Sequence, residues 1–530
     1  MDQTGQAPRD MKRRSLFRIG TLVAAFTSAS VASANAASGS PAPMNEYVPT
    51  AEKGAPSGVA TLDGEARIPP AQIPDLSASY GRKTETFIDD FPRLGAETDD
   101  TPRLGRAIAA AIAPGGEKVI RFGSSTYTLN DKTTISAPEV RFIGNGLSTT
   151  LTNGNNKTML DITGAGFQMQ NMRINVSDAN RTNFPITVTG GVRPLFDTIY
   201  VNGATNANRS GIHFVSGSMG TVQNSIFNHS CIRISTWDVK IDKVYIWAMS
   251  CEYGIGVFDG AGNTTLTNVD VVPPLAGTPQ GRAGIYIDGA SGNPFNTKMS
   301  NIYLDGNPTL DTRIGIYIGD GAGATLMENI NANRMDSDCI VIDSAINVTL
   351  NGYSGHTNND KGRGSREVFV TRTGIQAVEN IRLVNIQCLR TTPVAGTAAP
   401  AIEVAPSVDG SQVSIEGFGI KQPGTGGGYA APEVKVDATR TSLSGRGQLS
   451  KYSAQGSAAF AAGATGITIN LSTPYPMAYR PLLSDISLTF DTTLPSSPRI
   501  QILSNNKIYV AWTGKTPRMG KVFWRVDLRR

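Results

Sequence analysis

The densest run of proton-moving side chains in this 530-residue chain is Arg334-Met335-Asp336-Ser337-Asp338-Cys339, followed by Ser354-Gly355-His356 and then Arg366. Two carboxylates this close repel one another as ions, so one is driven to keep a proton near neutral pH while the other stays charged. Cleaving a glycosidic bond needs that division of roles: one acid protonates the leaving oxygen, and a second carboxylate acts as base or nucleophile. Asp336 and Asp338 are therefore the candidate catalytic residues, with Arg334, His356 and Arg366 as candidate substrate-binding residues. Asp270, Asp305, Asp311, Glu252 and Glu328 are further acids in the same stretch of chain. No group of residues has metal-ligand spacing, and no metal or cofactor is expected. Cys231, Cys251, Cys339 and Cys388 are too scattered for a disulfide framework or a zinc site and read as buried thiols.

These residues lie inside a repeat. From about residue 165 to 420 a unit recurs whose first half has an apolar residue, a spacer, Asn, Thr or Gly, and two more alternating apolar residues: Leu266-Thr267-Asn268-Val269-Asp270-Val271 and Met299-Ser300-Asn301-Ile302-Tyr303-Leu304 are examples. The second half is a Gly-Ile-x-Ile strand, as in Gly284-Ile285-Tyr286-Ile287 and Gly315-Ile316-Tyr317-Ile318. Strand alternation sends the isoleucines inward and the residue between them outward. His213, Arg233, Gly256, Tyr286, Tyr317 and Val341 then form one outward column. Its Tyr286 and Tyr317 are candidate sugar-binding platforms, because a pyranose offers an apolar face to an aromatic ring. One such coil cannot bury its inner face alone; stacked coils pair every backbone group and share one core. The fold expected is an all-β solenoid of about ten coils, a parallel β-helix.

The recurrent asparagines, Asn171, Asn268, Asn301, Asn329 and Asn385, resemble the asparagine ladder inside right-handed pectate-lyase-like β-helices. Arg334 to Ile342 resembles the Gly-Asp-Asp-Cys-Ile segment of polygalacturonase-type glycoside hydrolases: Asp338 and Cys339 match its second aspartate and its cysteine, and His356 matches the histidine of its Gly-His-Gly. Asp336 stands one place before the first aspartate's position, held here by Ser337. The family's earlier aspartate falls on Ile314, and its Arg-Ile-Lys has only an approximate echo at Ser365-Arg366-Glu367-Val368.

The ends of the chain complete the organisation. Lys12-Arg13-Arg14, the apolar run from Ile19 to Ala32 and Ala34-Asn35-Ala36 resemble a twin-arginine export signal over 1–36. A Pro/Gly-rich linker over 37–85 resembles the collars of phage tail fibres and tailspikes. Asp99-Asp100-Thr101-Pro102 opens a short helix, with Leu104, Ala107, Ile108 and Ile112 on one face, that caps a β-helix over 86–450. Residues 451–530 alternate without the Asn/Gly repeat and predict a small antiparallel β-sandwich. Collar, helix and sandwich together resemble phage tailspikes. That resemblance implies a homotrimer acting on a bacterial capsular or exopolysaccharide, secreted or on a virion tail, as glycoside hydrolase or lyase. The alternative is a non-catalytic adhesin or receptor-binding spike on the same fold. A formal charge of +5 without a basic-aromatic run argues against nucleic acid, and no long apolar stretch argues for a membrane span.

Overall fold

The computed structural model describes residues 85–527, apart from short internal stretches of which the longest are 390–398, 422–433, 445–452 and 472–482. The export-signal and collar segments lie outside the described residues. The chain from Thr86 to Ser444 is a right-handed parallel β-helix, in which a 17-stranded and a 12-stranded sheet are built almost wholly of parallel neighbours one coil apart. The 12-stranded sheet contributes one strand per coil, so the stack is slightly longer than the ten coils the repeat predicts. Among the described residues no helix is long and apolar enough to cross a membrane.

Each long strand of the larger sheet turns a corner on one residue. Asn171, Asn268, Asn301, Asn329 and Asn385 all occupy this position and all have φ between 54° and 55°, the left-handed region that Asn tolerates better than most residues. The corner explains the spacing of the repeat. Met299, Ile302 and Leu304 all face the core, and the step of three places across Asn301 is the corner residue interrupting an alternation of two. Three of the asparagines form a hydrogen-bonded ladder: Asn268 donates to Asp242 (3.0 Å), Asn301 to Asn268 (3.1 Å) and Asn329 to Asn301 (3.3 Å). The ladder is exposed. It therefore differs from the internal ladder expected, because a left-handed corner residue points its side chain away from the core while its neighbours point in.

Inside, residues of successive coils stack on their own kind. Phe122, Phe142, Phe167 and Phe196 form a continuous file with ring centroids 5.2–6.0 Å apart, and Ile285, Ile316 and Ile340 are direct register partners. The helix Thr101–Ile112 buries Leu104, Ala107, Ile108 and Ala111; Ile112, expected on that face, is exposed. Its N-terminus is bonded by Asp99, whose Oδ1 accepts from Thr101 N (2.8 Å). Asp100 instead binds Arg93 and the backbone N–H of Thr128, tying the helix to the first coils. The two antiparallel three-stranded sheets between Ser453 and Asp527 form a β-sandwich with a separate core around Phe460, Trp512 and Trp524.

The corner position has a measurable signature. Asn301→Gly, which suits the backbone angle, should stay within about 0.5 kcal/mol of the parent, whereas Asn301→Val should lose about 1–2 kcal/mol from left-handed strain, read as a shift in denaturation midpoint.

Candidate functional site

The strand segments that follow the exposed Asn corner have an outward face, and successive coils align it into two neighbouring columns. In one, Tyr200, Ile226, Tyr245, Asp270, Tyr303, Asn331 and Ser354 are register partners in turn. In the other, Asn175, Asn202, Asn228 and Trp247 pair in order. Further along, Asp305 pairs with Asn333 and Asn333 with His356. With coils about 4.8 Å apart, this face is a ribbon on which roughly one pyranose ring would span one coil.

The ribbon's chemistry changes along its length. Asn175, Asn202 and Asn228 form a second amide ladder, with donor–acceptor distances of 2.9 and 2.8 Å. Tyr245 and Trp247 follow, packed edge to face at 6.4 Å, and Trp247 is partly exposed. Next come two carboxylates from adjacent coils: Asp270 pairs with Tyr303, and Asp305 lies two residues beyond it on the same face. Among the described residues the buried Oδ1 of Asp270 has no hydrogen-bond partner. A buried carboxylate oxygen without a donor is costly, and where it persists in a native fold it asks for a reason. Burial, reinforced by the nearby charge of Asp305, pushes the Asp270 carboxyl up to about 7. Burial also raises Asp305, but Arg334 and the Asn333 amide oppose that rise. Asp270 thus titrates near neutral pH, beside a second carboxyl on the next coil that burial also raises, and a carboxyl able to hold a proton there is what acid–base cleavage requires of its acid.

The residues singled out from the sequence fall in three places. Arg334 and His356 border the ribbon: both are exposed, Arg334 is close enough to Asp305 and Tyr303 to act on their titration, and His356 Nε2 lies 3.0 Å from Ser354 Oγ.

Asp336 and Asp338 sit on the turn that leads away from it. Asp336 is buried. Asp338 is held in a two-pronged pair by Arg366, with Nε at 2.9 Å and Nη2 at 2.7 Å, and also accepts from the Arg366 backbone N–H (2.8 Å). Arg366 continues to Glu403 (2.8 Å) and lies over the Phe369 ring. Asp338 and Arg366 thus clasp three consecutive coils, an arrangement that holds turns in place. Cys339, the motif's cysteine, faces a buried network in which Glu367 Oε2 accepts from Tyr353 (2.5 Å) and Asn358 (2.6 Å).

Tyr286 and Tyr317 occupy the second sheet. The column from His213 to Val341 is in register, but Tyr286 is only 6% exposed. Its ring stacks on Tyr317 at 5.1 Å, and its hydroxyl bonds Asp288 (2.5 Å) and Arg282 (2.5 Å). The tyrosines pack against one another where an open platform was expected, with their hydroxyls held by side chains at strand ends, Arg282 and Asp288 for Tyr286 and Asp343 for Tyr317. Of the other acids, Glu252 pairs with Arg282 and Glu328 is exposed beside the Asn corner. The four cysteines are buried free thiols. Among the described residues no group of His, Cys, Asp and Glu could hold a metal ion.

Sequence reasoning placed Asp270 and Asp305 only among several further acids. Their signal was present in the repeat: both follow an Asn corner in outward phase, at Asn268 and Asn301, but nothing local marks two residues 35 apart as neighbours.

No family model and no curated protein matches the chain. Solved structures with similar folds include the tailspike protein gp49 from Pseudomonas phage LKA1 (10% identity, 84% of this chain and 100% of that one, TM-score 0.44). The ORF18 protein of Geobacillus virus E2 matches at 13% identity (82% and 78%, TM-score 0.43), and the catalytic unit of a GH87 alpha-1,3-glucanase from Streptomyces thermodiastaticus at 10% (68% and 69%, TM-score 0.39). Likeness at this level concerns the fold alone.

The carboxylate pair makes a pH prediction. A carboxyl raised in the folded state favours folding while protonated, so its contribution is lost as pH climbs from about 4, its unfolded value, to about 7. Asp270→Asn should therefore increase stability at pH 8 relative to the parent and leave it nearly unchanged at pH 4. Asp305→Asn should lower the Asp270 midpoint, read by carboxyl-carbon NMR titration.

Proposed function

We propose that this protein is a polysaccharide depolymerase of the glycoside hydrolase type, cleaving a bacterial capsular or exopolysaccharide outside the cell that makes it. One observation carries the reading: two carboxylates from adjacent coils, one of them raised to about 7, stand midway along an outward ribbon of aromatic rings and amides. Asp270, whose raised carboxyl can hold a proton near neutrality, is the general acid, and Asp305, where Arg334 and Asn333 oppose the rise that burial causes, is the base or nucleophile. Trp247 and Tyr245 offer apolar faces to sugar rings on one side of the pair. Arg334 and His356 offer hydrogen bonds on the other. Asp336, Asp338 and Arg366 belong in this reading to the scaffold that holds the turn bearing Arg334. A lyase would need a base and a cation against a uronate, and Arg334 beside Asp305 keeps elimination as the second reading.

Incubation of the protein with capsular and exopolysaccharides, followed by assay of new reducing ends and of unsaturated-uronate absorbance, separates hydrolysis from elimination. Binding with neither product would favour an adhesin. Asp270→Asn and Asp305→Asn should each lower turnover by about a hundredfold or more, the usual scale for removing a general acid or base, and kcat/KM should fall above pH about 7 as Asp270 ionises. Asp338→Asn should instead lower stability through loss of the Arg366 clasp, with turnover within a few-fold of the parent; a hundredfold loss there would return the chemistry to Asp336 and Asp338.

The chain is further proposed to work as a homotrimer. Leu483, Leu503, Met519 and Phe523 of the C-terminal sandwich expose large apolar side chains, which a symmetric partner would cover. Light scattering at micromolar concentration should give three times the chain mass of 56.0 kDa, and a monomer mass would refute the assembly.

A further inference from the structure

A different corner of the β-helix, the one before the exposed Asn ladder rather than after it, carries a pattern that the cleavage site does not use. Trp237, Gly262, Phe295 and Gly323 are successive bridge partners, so aromatic and glycine alternate from coil to coil. A Cβ on Gly262 would lie 2.4 Å from Trp237 Cε3. The indole has folded across onto the next coil and fills the place of the missing side chain. Even so, Trp237 is 50% exposed and Phe295 54%. Two broad apolar surfaces thus face solvent two coils apart, roughly the advance of two pyranose rings in an extended chain given a rise of about 4.8 Å per coil.

Directly beside the rings runs a third amide ladder. Asn263 donates to Asp238 (3.0 Å) and Asn296 to Asn263 (2.6 Å), and all three residues have positive φ. The ladder uses one N–H and one oxygen lone pair of Asn263 and leaves its other N–H and lone pair facing out. Flat apolar faces edged by fixed donors and acceptors match a sugar, whose ring has an apolar face and a hydroxyl rim. A protein partner fits less well. The strip is two separated rings wide, bordered by the ladder and by exposed Lys240 and Lys298, and is far from the roughly 800 Å² with an apolar centre that a stable protein contact buries per partner.

We propose that this corner is a second polysaccharide-binding track, separate from the carboxylate ribbon, which holds an extended glycan across Trp237 and Phe295 and keeps long substrate on the enzyme between cuts. The proposal rests on the chain acting on polysaccharide, and the test separates the two ideas. The full chain and its Trp237→Ala/Phe295→Ala variant are compared on a cleaved polysaccharide and on short oligosaccharides released from it. The variant should raise KM for the polymer about tenfold, lose retardation in gels containing the polymer, and leave kcat/KM on the oligosaccharides within twofold. Gly262→Ala, whose Cβ must displace the indole, should act in the same direction with both rings still present.

Unchanged polymer KM and retardation would overturn the track while leaving the cleavage reading intact. Equal losses on polymer and oligosaccharide would also overturn it, since the rings would then be acting through the cleavage ribbon. A changed mass in solution would make the corner a contact between chains. Absence of any binding or cleavage by the parent would remove both ideas together.

Discussion

Everything in the β-helix depends on the parallel hydrogen bonding that stacks one coil on the next. Each strand is short and could not persist alone, since closing its ends costs entropy that a few bonds do not repay. Stacked, every backbone group finds a partner about 4.8 Å above and below, and any side-chain type placed at one phase of the repeat becomes a column. The Phe file, the Ile file, the amide ladders and the aromatic rows all follow from that single constraint. Columns inside the coil have been filled by apolar residues that bury themselves fully; columns outside are free to carry chemistry.

The corners decide which columns lie outside. One residue with positive φ, usually Asn, turns the chain and shifts the alternation by one place, so that Met299 and Ile302 both face inward and Tyr303 faces out. The exposed amides then bond along the axis, which offsets the strain of the left-handed backbone with hydrogen bonds to coils on either side. Among the described residues three ladders run along this β-helix, and each lies at the edge of a strip with aromatic or ionisable residues. A rigid, periodic backbone with its polar side chains already oriented suits a polymer whose own repeat is of similar length.

The electrostatics of the carboxylate pair are also a product of stacking. Asp270 is half-buried on the ribbon with its Oδ1 covered, and the charge that opposes its ionisation comes from the next coil. Asp338, by contrast, is surrounded by donors from Arg366. A carboxylate that accepts three charge-reinforced or backbone bonds is fixed in place by them, which suits a clasp between coils. The difference between the two aspartates lies in their surroundings and not in their local sequence.

The sequence by itself determined the class of fold, because the repeat of apolar, Asn and Gly-Ile-x-Ile positions is a local pattern and coil stacking is its only way to bury both faces. It also determined the capping helix, the change to antiparallel strands near residue 451, and the order of the outward column from His213 to Val341. Other features were decided only by tertiary structure. Whether Tyr286 is open or covered depends on the rings of Tyr253 and Tyr317, which the coils before and after stack against it. Whether Asp338 is reactive or clasped depends on Arg366, 28 residues away. Asp270 and Asp305 become a pair only when loops of unequal length bring their coils into register, and no spacing rule reveals that from the chain alone. A periodic backbone makes columns predictable; the contacts that set a pKa come from whichever side chains the intervening loops happen to place beside them.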